Sequence, residues 1–366
     1  AVIRATEAGD LTYGAGPHDS GAPVPYWSIR ELLVKLHETD EEGLKRLSER
    51  GESELELLAN AGIRQVLEPT GLVGADEASS SAAVACALAV GLRTALREKK
   101  AGRILIYVDD LDRCDGLTPR VLGQLRRYAR GTSVFLLTAI NRSRPSLLPD
   151  RTISLRIKGL TYGYARAVLD GAAPRNAADP SAEDQLYLPL FVEQLLGLGL
   201  SLNGSEPLPP RLADAVAQRL QRLDVSARLL LQSASVLGSR CSKALLEQLA
   251  GKEKMKTLDA LAERHLLLVE DGQVAMTHPF VRDLVEAYIP AQARKELHAR
   301  ALELVSAKPD DAPLEERAYH AYHSGEVFGA LMMLEQMGNL AASRGDTETA
   351  VFSYQRGLEL ARRELL

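Results

Sequence analysis

Apolar residues along this chain follow two different periods. Residues 104–108 and 133–139 are continuous apolar runs of strand length. Between and around them lie segments with helical spacing. Ile29, Leu32, Leu33 and Leu36 share one face, and similar patterns cover residues 57–66, 79–97 and 119–128. Buried strands alternating with amphipathic helices predict a mostly parallel sheet. Residues 1–6 and 153–157 read as two further strands, with a Gly/Pro-rich loop from 7 to 25 and Ser28 as the cap of the first helix.

Beyond residue 158 the pattern changes. Residues 170–185 are rich in Ala, Pro, Asp and Asn and read as an exposed loop, and residues 201–210 form a second punctuated stretch. Helical patterns cover 190–200, 212–223, 226–236, 242–249 and 255–263. Two short β-like runs, 266–269 and 273–276, are joined by Glu270-Asp271-Gly272, a hairpin signal. Helices followed by a small hairpin predict a winged helix. In the last segment Ser324-Gly325 and Arg344-Gly345 lie about 20 residues apart, with Ala330 and Ala350 in matching places, as in a tetratricopeptide-type helical array.

Composition narrows the class without naming a chemistry. A chain of 366 residues with 46% hydrophobic and 25% charged residues is ordinary for a globular protein of several domains. A net charge of −5 gives no sign of a general polyanion binder. Cys86, Cys114 and Cys241 have no paired spacing, which points to a reducing, cytoplasmic compartment and away from a disulfide framework or a zinc site. The most apolar stretch, residues 83–92, is Ala-rich and shorter than the roughly 18 residues of a membrane span. The chain opens at Ala1 inside an expected strand, so a fragment of a longer protein is expected.

The densest chemistry is Ile104-Leu105-Ile106-Tyr107-Val108-Asp109-Asp110. A parallel strand ending in two aspartates places carboxylates at the sheet edge where open α/β folds bind ligands. In nucleotide hydrolases one such carboxylate holds Mg²⁺ and its neighbour orients the attacking water. The usual companion, a Gly-x-x-x-x-Gly-Lys-Ser/Thr phosphate loop, occurs nowhere in the chain. Asp112 and Asp115 read as helix-capping or solvated groups. Lys252, Lys254 and Lys256 read as a solvated run, and His320 with His323 lacks a matching ligand partner for a metal site.

In order along the chain, five segments resemble the signal-transducing ATPases of the STAND class. Pro25-Tyr26-Trp27-Ser28-Ile29-Arg30-Glu31 is similar to that family's proline-aromatic segment. Val108-Asp109-Asp110-Leu111-Asp112 resembles its Walker B strand, and Thr138-Ala139-Ile140-Asn141-Arg142 sits where it carries sensor residues. Leu190-Phe191-Val192-Glu193 resembles the helix after its Gly-x-Pro motif, and Met276-Thr277-His278-Pro279-Phe280 its histidine motif. The resemblance covers nearly the whole chain.

It implies a P-loop NTPase-like parallel sheet domain, truncated at its N-terminus, over residues 1–158. A helical lid follows over 159–205, a winged-helix domain over 206–305 and tetratricopeptide-like helices over 306–366. By analogy Asp109 binds Mg²⁺, Asp110 positions water and Arg142 senses the γ-phosphate. Thr138 and Pro189 contact the nucleotide, and His278 reaches the β-phosphate of ADP. The implied cofactor is ATP or ADP with Mg²⁺, and the implied activity is slow ATP hydrolysis gating domain opening. Partners would be the nucleotide, a protein on the C-terminal helices and further copies of the chain, with no membrane and no nucleic acid.

The departures are Tyr187 in place of the motif glycine, Asp112-Arg113-Cys114 after the strand, which resembles the KAP-type P-loop NTPases instead, and the missing phosphate loop, which in this fold follows a central strand. They keep two alternatives open, a pseudo-ATPase scaffold for protein partners and a winged-helix transcription regulator.

Overall fold

The computed structural model describes residues 2–19, 22–51, 53–68, 77–140, 153–171, 186–200, 208–307 and 312–364. They divide into two compact units, Ala1–Thr152 with Lys308–Leu366, and Ile153–Ala307.

The first unit runs α1 (Val2–Glu7), β1 (Leu11–Ala15), α2 (Trp27–Leu36), α3 (Glu41–Ser48), α4 (Glu54–Leu67), α5 (Glu77–Glu98), β2 (Ile104–Val108), α6 (Thr118–Tyr128) and β3 (Val134–Thr138). Its three strands are parallel in the order β1-β2-β3, and the register sets Ala15 and Thr138 on either side of Val108. Ile104, Ile106 and Val108 are buried in β2. Helix α5 packs against α4, α2 and α6, and together they form the main core. Burying each large aliphatic group of β2 contributes about 1.5–3 kcal/mol. Helix α4 starts with a reciprocal cap between Ser53 and Glu56.

Four expectations change here. Residues 2–7 form a helix rather than a strand. Arg, Ala and Glu favour helix, and Gly9 closes it at φ 79°. The strand beside β2 is instead Leu11–Ala15, inside the expected loop. Ser28 does not cap α2. Its Oγ donates to Gly16 O at 2.7 Å, and α2 starts two residues earlier than that cap would set it, at Trp27 behind a left-handed Tyr26. Residues 153–157 have the alternation of a strand but no pairing partner among the described residues. Ile153, Leu155 and Ile157 are 88%, 82% and 93% exposed. No gap lies between the three strands, where a missing central strand had been expected. Among the described residues no strand lies on the outer side of β3, and its Phe135 is 59% exposed, with Leu136 and Leu137 also exposed.

The second unit holds α7 (Tyr162–Leu169), α8 (Pro189–Leu198), α9 (Leu212–Gln221), α10 (Val225–Leu237), β4 (Arg240–Ser242), α11 (Lys243–Ala250), α12 (Lys252–Met255), α13 (Leu258–Glu263), β5 (Leu267–Glu270), β6 (Gln273–Met276), α14 (Pro279–Ala287) and α15 (Ala291–Ser306). The strands are antiparallel in the order β4-β6-β5. The β5–β6 turn carries Asp271 and Gly272 at φ 49° and 75°, as a two-residue primed turn requires. The expected helix over 255–263 is split into α12 and α13. The expected loops at 170–185 and 201–210 lie mostly outside the described residues.

The chain closes with α16 (Leu314–Ser324), α17 (Val327–Ser343) and α18 (Thr347–Glu364), consecutive helices joined by short turns at Gly325 and Gly345. They belong to the same compact unit as the parallel sheet. No described helix is long and apolar enough to cross a membrane.

Candidate functional site

The C-terminal edge of the parallel sheet is held from both sides. Asp109 N donates to Ala15 O at 3.0 Å on the β1 side. Leu111 N donates to Ala139 O at 2.9 Å on the β3 side. Between them Asp110 takes a left-handed conformation at φ 45°, ψ 45°, which aspartate tolerates better than most residues. Its own amide donates to Asp109 Oδ1 at 3.0 Å, and its carbonyl accepts from Arg113 N at 2.7 Å. Asp109 is exposed and Asp110 half-buried. Thr138 ends β3 in register with Val108, so Asp109, Asp110 and Thr138 share this edge.

Helix α2 reaches the loop that follows the pair. Ser28 lies 3.2 Å from Cys114 Sγ, and that thiol reaches Asp110 O at 3.8 Å. Burial pushes the Cys114 thiol up to about 12, so it is not a nucleophile at neutral pH. Next to Trp27, His18 stacks edge-on at 4.4 Å between ring centroids, and Arg30 lies over the same indole at 5.7 Å. Burial, then Arg30, lowers His18 to about 4, which keeps it neutral.

Pro189 and His278 belong to the second unit, and Arg142 lies outside the described residues. Pro189 is the exposed first residue of α8, a position that needs no N–H. Tyr187 exchanges backbone hydrogen bonds with Leu160 at 2.7 and 2.8 Å. His278 is exposed and caps α14, its Nδ1 accepting from Phe280 N at 3.0 Å. That bond fixes the tautomer and leaves Nε2 as the ring's donor.

The basic run offers no row of unengaged cations. Lys254 Nζ donates to Ala250 O at 2.7 Å and Lys256 pairs with Glu253 at 2.6 Å. Among α16, α17 and α18 a cavity of about 110 Å³ is lined by Tyr319, Tyr322, Met337, Phe352 and Arg356, with Ala22 and Pro23 at its wall. The Arg356 guanidinium lies 4.8 Å from the Tyr322 ring and 5.2 Å from Phe352.

Asp115, expected as a helix-capping or solvated group, does bond the amides at the start of α6, but it is buried in a polar cluster that residue order does not show. Asp115 accepts from Leu117 N, Thr118 N and Thr118 Oγ1 at 2.9, 3.0 and 2.6 Å. Burial pushes its carboxyl up to about 6, and Asp346 adds to the rise. Asp346 caps α18 through Thr349 N at 3.1 Å, and Arg120 Nη1 donates to Gly345 O at 3.0 Å. The local cue was Asp115-Gly116-Leu117-Thr118-Pro119, a cap followed by a helix-starting proline.

No protein-family model matches the chain, and no curated protein sequence matches it. A solved structure similar to it is the Signal Transduction ATPase with Numerous Domains (STAND) protein with a tetratricopeptide repeat sensor from Pyrococcus horikoshii. The TM-score is 0.49 at 16% identity, over 97% of this chain and 56% of that one. This chain therefore spans little more than half the length of that protein.

Proposed function

We propose that this chain is part of a nucleotide-gated signalling switch of the STAND type, with ATP or ADP and Mg²⁺ as its ligands. The observation that carries the reading is the placement of Asp109, Asp110 and Thr138 together at the C-terminal edge of a parallel sheet. The exposed Asp109 carboxylate suits a hydrated Mg²⁺, and Asp110 suits the orientation of water. The residues fit the ligand only in part, because this chain contains no glycine-rich loop with a lysine to cradle phosphates. Bound Mg²⁺ would neutralise charge building up on the phosphates.

Among the described residues no strand pairs with the outer edge of β3, and this supports the same reading. Parallel sheets are normally covered on both faces, and natural edge strands carry charges or prolines. Val134-Phe135-Leu136-Leu137-Thr138 carries neither. A further parallel strand beside β3 would pair with its outer backbone edge, helices on the sheet faces would cover these side chains, and the loop after that strand would bring the cradle to the aspartates. In the second unit, the antiparallel β4-β6-β5 sheet with α10, α11 and α13 is read as a winged helix. His278 at its end would be a nucleotide-sensing group, with Pro189 and Arg142 as further contacts. Helices α16–α18 would be a tetratricopeptide-like surface for a protein partner or a second copy.

The test uses a protein that carries both this chain and a phosphate loop. Asp110→Asn should slow ATP hydrolysis about 10²-fold while nucleotide affinity survives, because only water activation is lost. Equal turnover in both proteins would remove Asp110 from the mechanism. The missing phosphate loop favours a second reading, a scaffold without turnover. Phosphate release by the same protein under multiple turnover separates the two, since a scaffold releases none above background.

A further inference from the structure

Asp115, Gly116 and Arg120 follow the aspartate pair directly, and the turn between α17 and α18 packs on them. Arg120 Nη1 donates to Gly345 O across 225 residues of sequence. A Cβ on Gly116 would lie 2.6 Å from Asp346 Oδ1 and 3.4 Å from Glu348 Cβ, so the turn touches the loop where only glycine fits. Asp115 and Asp346 are both buried. Around them are Tyr26, Thr118, Arg120 and Arg344, and Arg344 lies 4.0 Å from Glu315. These contacts are longer in sequence than any that hold α16–α18 to one another. They are also polar, and buried polar contacts depend on complete pairing. Asp346 Oδ2 and Arg344 Nε have no hydrogen-bond partner, which marks the contact as incompletely satisfied.

We propose that Arg344, Gly345 and Asp346 form a latch that fastens the C-terminal helices to the loop after Asp110, and that this latch opens while the sheet stays folded. The turn reaches the aspartate pair through this loop, since Asp115 and Gly116 contact Asp346 while Arg113 N and Cys114 Sγ are bonded to the Asp110 carbonyl. The latch thereby couples occupancy of the helical surface to the geometry of the aspartate pair. It rests on these packing and polar contacts and stands whether or not the edge binds a nucleotide.

The chemistry of the contact makes it pH-sensitive. Burial raises Asp115 to about 6. A carboxyl raised on docking favours the docked form when protonated, so docking is strongest at low pH and weakens as pH rises through about 6. Asp346 adds to that rise, while the amides of Tyr26 and Thr118 and the Thr118 hydroxyl oppose it.

Hydrogen–deuterium exchange of the whole chain tests the latch, with rates corrected for intrinsic pH dependence. Gly116→Ala places a methyl group against Asp346. It should raise exchange across 314–364 about tenfold and leave β2 and α5 protected. Gly123→Ala, where a Cβ meets nothing within 4 Å, is the control. Arg120→Met removes the donor to Gly345 and should give a similar rise, which keeps the test valid if Gly116→Ala loses protection everywhere. In the unaltered chain, exchange of 314–364 should rise about tenfold from pH 5 to pH 7, and Asp115→Asn should shrink that rise, with Glu316 in α16, raised to about 7 by burial and Asp19, supplying the remainder. Protection of 314–364 equal to the control in both variants, or a pH response unchanged by Asp115→Asn, overturns the latch.

Discussion

Asp109 and Asp115 sit in one loop and occupy opposite surroundings. Asp109 is exposed and accepts one backbone amide of its neighbour. Asp115 is buried, accepts three bonds from the first turn of α6 and faces a second carboxylate. The contrast separates two kinds of acidic residue. A group kept in water with lone pairs to spare can serve a ligand. A group whose lone pairs are filled by its own backbone organises the chain, and its charge becomes a liability that pH can remove.

The largest test of that contrast is the buried member. Asp115→Ala strips the acceptor from the amides of Leu117 and Thr118 and from the Thr118 hydroxyl. It should cost about 2–4 kcal/mol in urea unfolding, combining a lost helix cap with buried donors left unpaired. A loss below about 1 kcal/mol would mean that water replaces the carboxylate, and the contrast in burial would lose its energetic meaning.

A smaller effect appears in the pH profile. The Asp115 carboxyl is raised from 3.8 to about 6 by burial, so its protonated form is favoured on folding. That contribution is complete below the unfolded value and is lost as pH rises through the folded one. From pH 5 to pH 7 the loss should be about 1 kcal/mol. Burial, then Asp19, raises Glu316 to about 7, and its contribution has the same sign. Asp115→Asn should therefore shrink the slope without abolishing it. An identical slope in variant and unaltered chain would show that Asp115 titrates normally.

The same contrast explains what could be read from residue order. Strand β2 and its aspartates stood out because a five-residue apolar run followed by two charges is a local pattern. Strand β3, the helices α4, α5, α6 and α10 and the Asp271-Gly272 turn were local in the same sense. Strand β1 was missed because Gly14 and Gly16 look like loop. Gly14 is there because the Tyr107 ring of β2 lies over it, and a Cβ would fall 2.0 Å from that ring. Residues 153–157 were read as a strand because alternation reports the propensity of a segment and says nothing about whether a partner lies beside it. The Asp115–Asp346 pairing is set by tertiary packing across most of the chain, which no local period encodes.

The smallest predicted effect is the most diagnostic for Asp109. Its carboxylate has one bond, to the adjacent amide, and is exposed to solvent. Asp109→Asn keeps that acceptor and removes only the charge, so stability should change by no more than about 0.5 kcal/mol. If Asp109 instead held the loop in place, the variant would unfold at clearly lower urea, and the left-handed Asp110 would lose its support. A neutral result shows that folding does not need the charge of Asp109, which is the condition the proposed ligand role sets for it.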